Sequence, residues 1–112
     1  MKVGIDIEKI DRMNKKLLDR IATPAEKEYV TSHGDSLRHI ASLWTAKEAA
    51  IKMLGDTTLS PLEIEILHQK NGRPYLVLYG LALNCAKKQN LTEFDISISH
   101  NPTDAIAIVI GK

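Results

Sequence analysis

Hydrophobic residues in the middle of the chain recur every three to four positions. Leu37, Ile40, Ala41, Trp44 and Ile51 lie on one helical stripe and predict a long helix that begins near Leu37. Asp35 or Ser36 is its expected N-cap, and Gly55 its expected stop. Glu48 falls on the stripe one turn after Trp44, and Lys52 one turn after Glu48. A carboxylate in an apolar seam is costly unless it has a partner or a cation. The alternative is an i,i+4 Glu–Lys pair on a solvated face, worth about 0.2–0.5 kcal/mol. The helix alone does not decide between them.

Elsewhere the period changes. Residues 2–8 alternate, which predicts a strand with Val3, Ile5 and Ile7 on one face and Gly4, Asp6 and Glu8 on the other. Successive carboxylates on that face stand about 7 Å apart along the backbone. The spacing suits a solvated face or a cation held by oxygen ligands. Residues 10–21 read as a helix with Ile10, Met13, Leu17 and Ile21 inward and Arg12, Lys15, Lys16 and Arg20 outward. Thr23-Pro24-Ala25-Glu26 is a capping box with proline at the first helical position, opening a short helix to about Thr31. Residues 62–68 and 75–79 read as strands joined through an Asn71-Gly72 turn, 81–89 as a helix, and 94–100 and 105–110 as strands around a turn at 101–104. The order β-α-α-α-β-β-α-β-β predicts a single α+β domain over residues 1–112, a mainly antiparallel sheet packed against the long helix.

Composition narrows the function classes. Fifteen basic residues against 14 acidic ones leave a net charge of +1, which argues against a nucleic-acid binder. The run of basic residues from Lys9 to Arg20 is either a solvated face or a local patch that attracts an acidic partner. The single cysteine, Cys85 within LALNCAKK, cannot form an intrachain disulfide and reads as a small core residue. His33, His39, His68 and His100 lack zinc-ligand spacing. The longest apolar run, residues 105–110, is far too short to span a membrane, and MKVGIDIEK carries charges where a signal peptide needs an apolar run. A cytoplasmic protein without a membrane or nucleic-acid partner is expected.

Three stretches ask for one explanation: GIDIEKIDR at residues 4–12, WTAKEAAIKMLG at 44–55 and SISH at 97–100. Together with NGRPYL at 71–76 they resemble the 4'-phosphopantetheinyl transferases, in particular the short holo-acyl-carrier-protein synthase branch, over almost the whole chain. The resemblance implies transfer of the phosphopantetheine arm of coenzyme A to a serine of an apo acyl carrier protein. The other product is adenosine 3',5'-bisphosphate. That chemistry gathers negative charge on the transferring phosphoryl group, so it calls for positioning and neutralisation. By resemblance, Asp6 and Glu48 are the Mg2+-binding acids, and Glu8 matches a third acid of the larger, two-lobed members. Lys52 matches the lysine that contacts the coenzyme's phosphates. Lys47, in the same signature, is either a second phosphate contact or an exposed helix lysine. Glu48 is the first candidate to take the serine proton and Glu8 the second.

His100 and Ser99 correspond to the segment that lines the coenzyme cleft, with a turn-capping or merely exposed histidine as the alternative. The family also implies a homotrimer with active sites between subunits, where Asp6 faces Glu48 of its own chain or of a neighbour. The basic flank Arg12, Lys15, Lys16 and Arg20 would then receive the acidic carrier protein. One departure stands out: Gly55-Asp56-Thr57-Thr58 replaces the Gly-x-Gly turn of the short members and puts a carboxylate near the phosphates. It supports an alternative, a non-catalytic module of the same fold that binds the carrier or a nucleotide.

Overall fold

The computed structural model describes residues 1–112. In order the elements are β1 (Lys2–Lys9), a 3-10 turn (Ile10–Arg12), α1 (Lys15–Ile21), α2 (Pro24–Ser32), α3 (Ser36–Leu54), a second 3-10 turn (Pro61–Glu63), β2 (Ile64–His68), β3 (Pro74–Leu78), α4 (Gly80–Lys88), β4 (Phe94–His100) and β5 (Asp104–Gly111). All strand pairs are antiparallel. They form two ladders, β1-β5-β4 and β2-β3, with β3 lying beside β4 without pairing to it. The α+β expectation of an antiparallel sheet against a long helix holds, with the sheet divided in two. No helix is long and apolar enough to cross a membrane.

The core forms where α3 lies on the larger sheet. Ala41, Ala46, Ala49 and Ala50 of α3 meet Ala105, Ala107 and Val109 of β5, all essentially without solvent exposure. Small residues on both sides let the helix come close. Gly4 marks the limit of that approach: a Cβ there would stand 1.9 Å from the Ala49 carbonyl oxygen and 2.5 Å from the Met53 nitrogen, both backbone atoms of α3. Only glycine lets β1 touch the helix at this point, and the next inward residue along the strand is Asp6. The helix ends at Gly55, in the left-handed conformation at φ 78°, whose N–H donates to the Ile51 carbonyl.

Several local expectations need correction. The expected helix over 10–21 is two pieces, because Asn14 takes the N-cap of α1 and accepts a hydrogen bond from Leu17 N at 2.9 Å. An asparagine side chain competes with the backbone inside a helix and satisfies it at a cap. Strand β2 starts two residues late, since Ser60 caps the Pro61–Glu63 turn. In the hairpin only Gly72 takes a positive φ, 88°, while Asn71 accepts a hydrogen bond from Arg73 N through its side chain. Asp35 does precede α3 but caps nothing with its carboxylate, which pairs with Arg38 Nε at 3.0 Å.

The expected capping box at Thr23 and Glu26 is present. Its acid does more than cap. Glu26 Oε1 also accepts from Lys47 Nζ at 2.7 Å, and Oε2 accepts from Ile66 N at 2.7 Å, so one buried carboxylate ties α2, α3 and β2 together.

Candidate active site

Because side chains alternate along a strand, the face of β1 that carries Gly4 also carries Asp6 and Glu8. These stand opposite Val109, Ala107 and Ala105 of β5, and the two alanines leave room beneath α3 for carboxylates. On α3, Trp44, Glu48 and Lys52 follow at intervals of four and turn toward the same place. Lys52 Nζ donates to the Ile5 carbonyl and to Asp6 Oδ1, each at 3.1 Å. The other oxygen, Asp6 Oδ2, is buried without a hydrogen-bond partner.

The acids sense one another. Burial raises the Glu48 pKa, the Asp6 charge raises it further, and Lys52 opposes both. Glu8 is also raised, by burial first and then by the Asp6 and Glu48 charges. Within one chain the charges of Asp6, Glu8 and Glu48 thus act on one another.

No three His, Cys, Asp or Glu side chains form a ready-made metal cage. Even so, the donors are hard carboxylate oxygens, and one of them is buried and unsatisfied. That combination fits Mg2+, which keeps several waters and takes few protein ligands.

Two of the expected phosphate-binding residues lie elsewhere. Lys47 is 0% exposed, and its ammonium donates to the Ile21 carbonyl at 2.7 Å, to Glu26 Oε1 at 2.7 Å and to the Pro61 carbonyl at 2.8 Å. All three N–H donors are occupied on the far side of the helix from Lys52. Lys47 is thus a core residue and reaches no phosphate. Burial lowers its pKa, and Glu26 opposes that shift.

Ser99 pairs with Ile106 on the outer face of the sheet, in a cleft of about 280 Å3 that it shares with Ile7 and His100. Within one chain the sheet separates Ser99 from the acids. His100 lies on the inner side, two strands from Glu8 through Ala105, and so roughly 10 Å away at ordinary strand spacing. The basic residues Arg12, Lys15, Lys16 and Arg20 are all exposed, on the 3-10 turn that follows β1 and on α1.

Asp56 accepts from both the backbone N–H and the hydroxyl of Thr58, at 2.9 and 2.6 Å, and these bonds lower its pKa. Its carboxylate is used to close the turn. Sequence reasoning missed Arg38, whose guanidinium meets His100 Nε2 at 2.9 Å. Nothing in the spacing of residues 62 positions apart could have signalled that contact.

The family model of the 4'-phosphopantetheinyl transferase superfamily matches residues 2–107. Among curated proteins, the chain is 40% identical to the holo-[acyl-carrier-protein] synthase of Thermoanaerobacter sp. (strain X514), over 97% of this chain and 86% of that protein. Among solved structures it is similar to Helicobacter pylori holo-[acyl-carrier-protein] synthase in complex with coenzyme A, with a TM-score of 0.84, 30% identity, and coverage of 98% of this chain and 99% of that one. The Bacillus anthracis holo-(acyl-carrier-protein) synthase in complex with coenzyme A (3',5'-ADP) superposes with a TM-score of 0.81, at 27% identity over 98% of this chain and 94% of that one.

Proposed function

Because this chain belongs to the 4'-phosphopantetheinyl transferase superfamily, we propose that it is a holo-[acyl-carrier-protein] synthase, one transferase domain that works in the cytoplasm and serves fatty acid biosynthesis. It transfers the 4'-phosphopantetheine arm of coenzyme A to a serine of an apo acyl carrier protein. The serine oxygen forms a bond to the phosphorus that carries the pantetheine arm. The bond from that phosphorus to the bridging oxygen of the diphosphate breaks, and adenosine 3',5'-bisphosphate leaves.

The observation that carries this reading is the junction of β1 and α3. There Asp6, Glu8 and Glu48 face one another beside Lys52, and one Asp6 oxygen is buried without a partner. Mg2+ would be held by Asp6 and Glu48, with Glu8 as the third acid, and would supply positive charge against the coenzyme's diphosphate. Lys52 contributes a mobile point charge to the same phosphates, since its side chain is 55% exposed and held only at its tip. Glu48, its proton affinity raised by burial, accepts the serine proton at its carboxylate, with Glu8 as the second candidate. His100 reaches the phosphates from the end of β4. The exposed cations Arg12, Lys15, Lys16 and Arg20 receive the acidic carrier protein.

The test is mass spectrometry of an apo acyl carrier protein incubated with the purified chain, coenzyme A and Mg2+. The carrier gains one phosphopantetheine group, and a chelator stops the gain. A carrier mass that never changes, across carriers from fatty acid, polyketide and peptide synthesis, would overturn the reading.

A homotrimer belongs to this proposal. The outward face of β1 is its apolar one: Val3, Ile5 and Ile7 are 60%, 54% and 60% exposed, beside Ile106 and Ile108 of β5 at 37% each. A continuous isoleucine-rich sheet face in water marks an interaction surface. A copy of the chain seated there would cover the cleft of Ser99, Ile7 and Ile106, and so bring Ser99 to an intersubunit site. Ile5→Lys is expected to give a folded monomer by sedimentation with transfer reduced by about 10²-fold or more, the cost of leaving a positioned site incomplete. A trimeric Ile5→Lys protein, or a fully active monomer, would count against the intersubunit site.

A further inference from the structure

We infer that Arg38 is a positioning residue that sets the tautomer of His100 and thereby presents a single N–H of that ring to a phosphate of coenzyme A. The inference rests on the transferase reading above.

Arg38, in the first turn of α3, is only 30% exposed at its side chain and spreads its guanidinium over three partners. Its Nε donates to Asp35 Oδ2 at 3.0 Å, Nη1 meets His100 Nε2 at 2.9 Å, and Nη2 meets His39 Nε2 at 3.4 Å. A guanidinium only donates. Both imidazole nitrogens that face it must therefore accept, and each ring carries its proton at Nδ1.

The planar fork makes this a geometric constraint as well as an electrostatic one. Asp35, held in the left-handed region at φ 58°, anchors the third side of the fork. The His39 pKa is lowered, by burial first and by Arg38 next, in keeping with an imidazole that stays neutral.

Arg38 and His100 border a cleft of about 330 Å3 together with Ile10 and Asn101. His100 also borders the cleft that contains Ser99 and Ile7. It is thus the residue shared between the inner side of the sheet, where the acids lie, and the outer face proposed to meet a second copy. A histidine in that position that offered the wrong nitrogen would turn a lone pair toward the phosphate. Arg38 prevents this by occupying Nε2.

The experiment combines kinetics with NMR of the ring nitrogens in the full-length chain. Nitrogen shifts of His100 are expected to report the Nδ1–H tautomer in the wild type and a shift toward Nε2–H in Arg38→Met. In the mass-shift assay, Arg38→Met raises KM for coenzyme A about tenfold or more, the weight of one charge-assisted hydrogen bond, while kcat changes by less than about threefold. In a His100→Ala background, Arg38→Met adds no further increase, because the arginine acts through the ring. Arg38→Lys keeps the charge, loses the fork and does not restore KM. Melting temperatures of all variants check that the fold is intact.

An unchanged KM in Arg38→Met, effects that add in the double variant, or full rescue by Arg38→Lys would each overturn the positioning role. If the wild-type chain itself transfers nothing, the transferase reading fails and takes this inference with it. The NMR result separates the cases, since an Nδ1–H tautomer in an inactive chain shows the contact intact and the activity absent.

Discussion

Lys47→Ala is expected to destabilise the chain by about 3–5 kcal/mol, as breaking a buried ion pair by removing one partner does. The substitution strips Glu26 of its countercharge inside the core and leaves the Ile21 and Pro61 carbonyls without their donor. Glu26 cannot relax into water, because its oxygens also hold Thr23 N and Ile66 N. Urea denaturation followed by circular dichroism would measure the loss as a lower midpoint at an unchanged slope. Lys47→Met, which keeps most of the volume, should be nearly as costly. Lys47→Met combined with Glu26→Gln should recover part of the loss, since no buried charge is then stranded. In the fraction that remains folded, KM for coenzyme A should match the wild type. A stable Lys47→Met chain with a raised KM would instead return this lysine to the phosphates.

Glu48→Gln is expected to lower transfer by about 10²–10³-fold and at the same time to make the metal-free chain more stable at neutral pH. The two effects have one cause. Burial and the Asp6 charge raise the folded-state pKa of Glu48 above that of the unfolded chain. Between those two values the folded state binds more protons than the unfolded one, so stability falls as pH rises. The penalty is absent below the ordinary carboxylate range and complete above the raised folded value. A neutral glutamine removes it. Melting curves from pH 4 to pH 8 in chelator should show the wild type losing ground to Glu48→Gln as pH rises, with Mg2+ narrowing the gap by stabilising only the acid form. Equal melting temperatures throughout, or transfer undiminished in Glu48→Gln, would remove Glu48 from the proposed site. Glu8, raised by burial and by the same neighbours, should behave alike and more weakly in activity.

Several parts of this arrangement were legible in the residue order. The stripe that ends at Gly55 marked α3, and the observed helix spans Ser36–Leu54. The Thr23–Glu26 box marked the start of α2, where it forms as expected. Alternation placed Asp6 and Glu8 on one face of β1, and spacing of four placed Glu48 and Lys52 together on α3. These are local matters, governed by backbone periodicity and by side chains that reach three or four positions along the chain. The split at Asn14 was local too, and was passed over because a run of apolar positions at helical spacing masked a good capping residue.

What the sequence alone determined about this protein, then, was its elements, the faces on which its charged residues stand, and its family likeness. Tertiary structure decided which face meets what. It turned the apolar side of β1 outward and its acids inward, because Gly4 alone permits the approach of α3. It buried Lys47 against Glu26 while leaving Lys52 at Asp6, although the two lysines belong to one signature. It also joined Arg38 to His100 across 62 residues of chain. Desolvation and long-range pairing depend on what packs beside a residue, and no window along the chain contains that information.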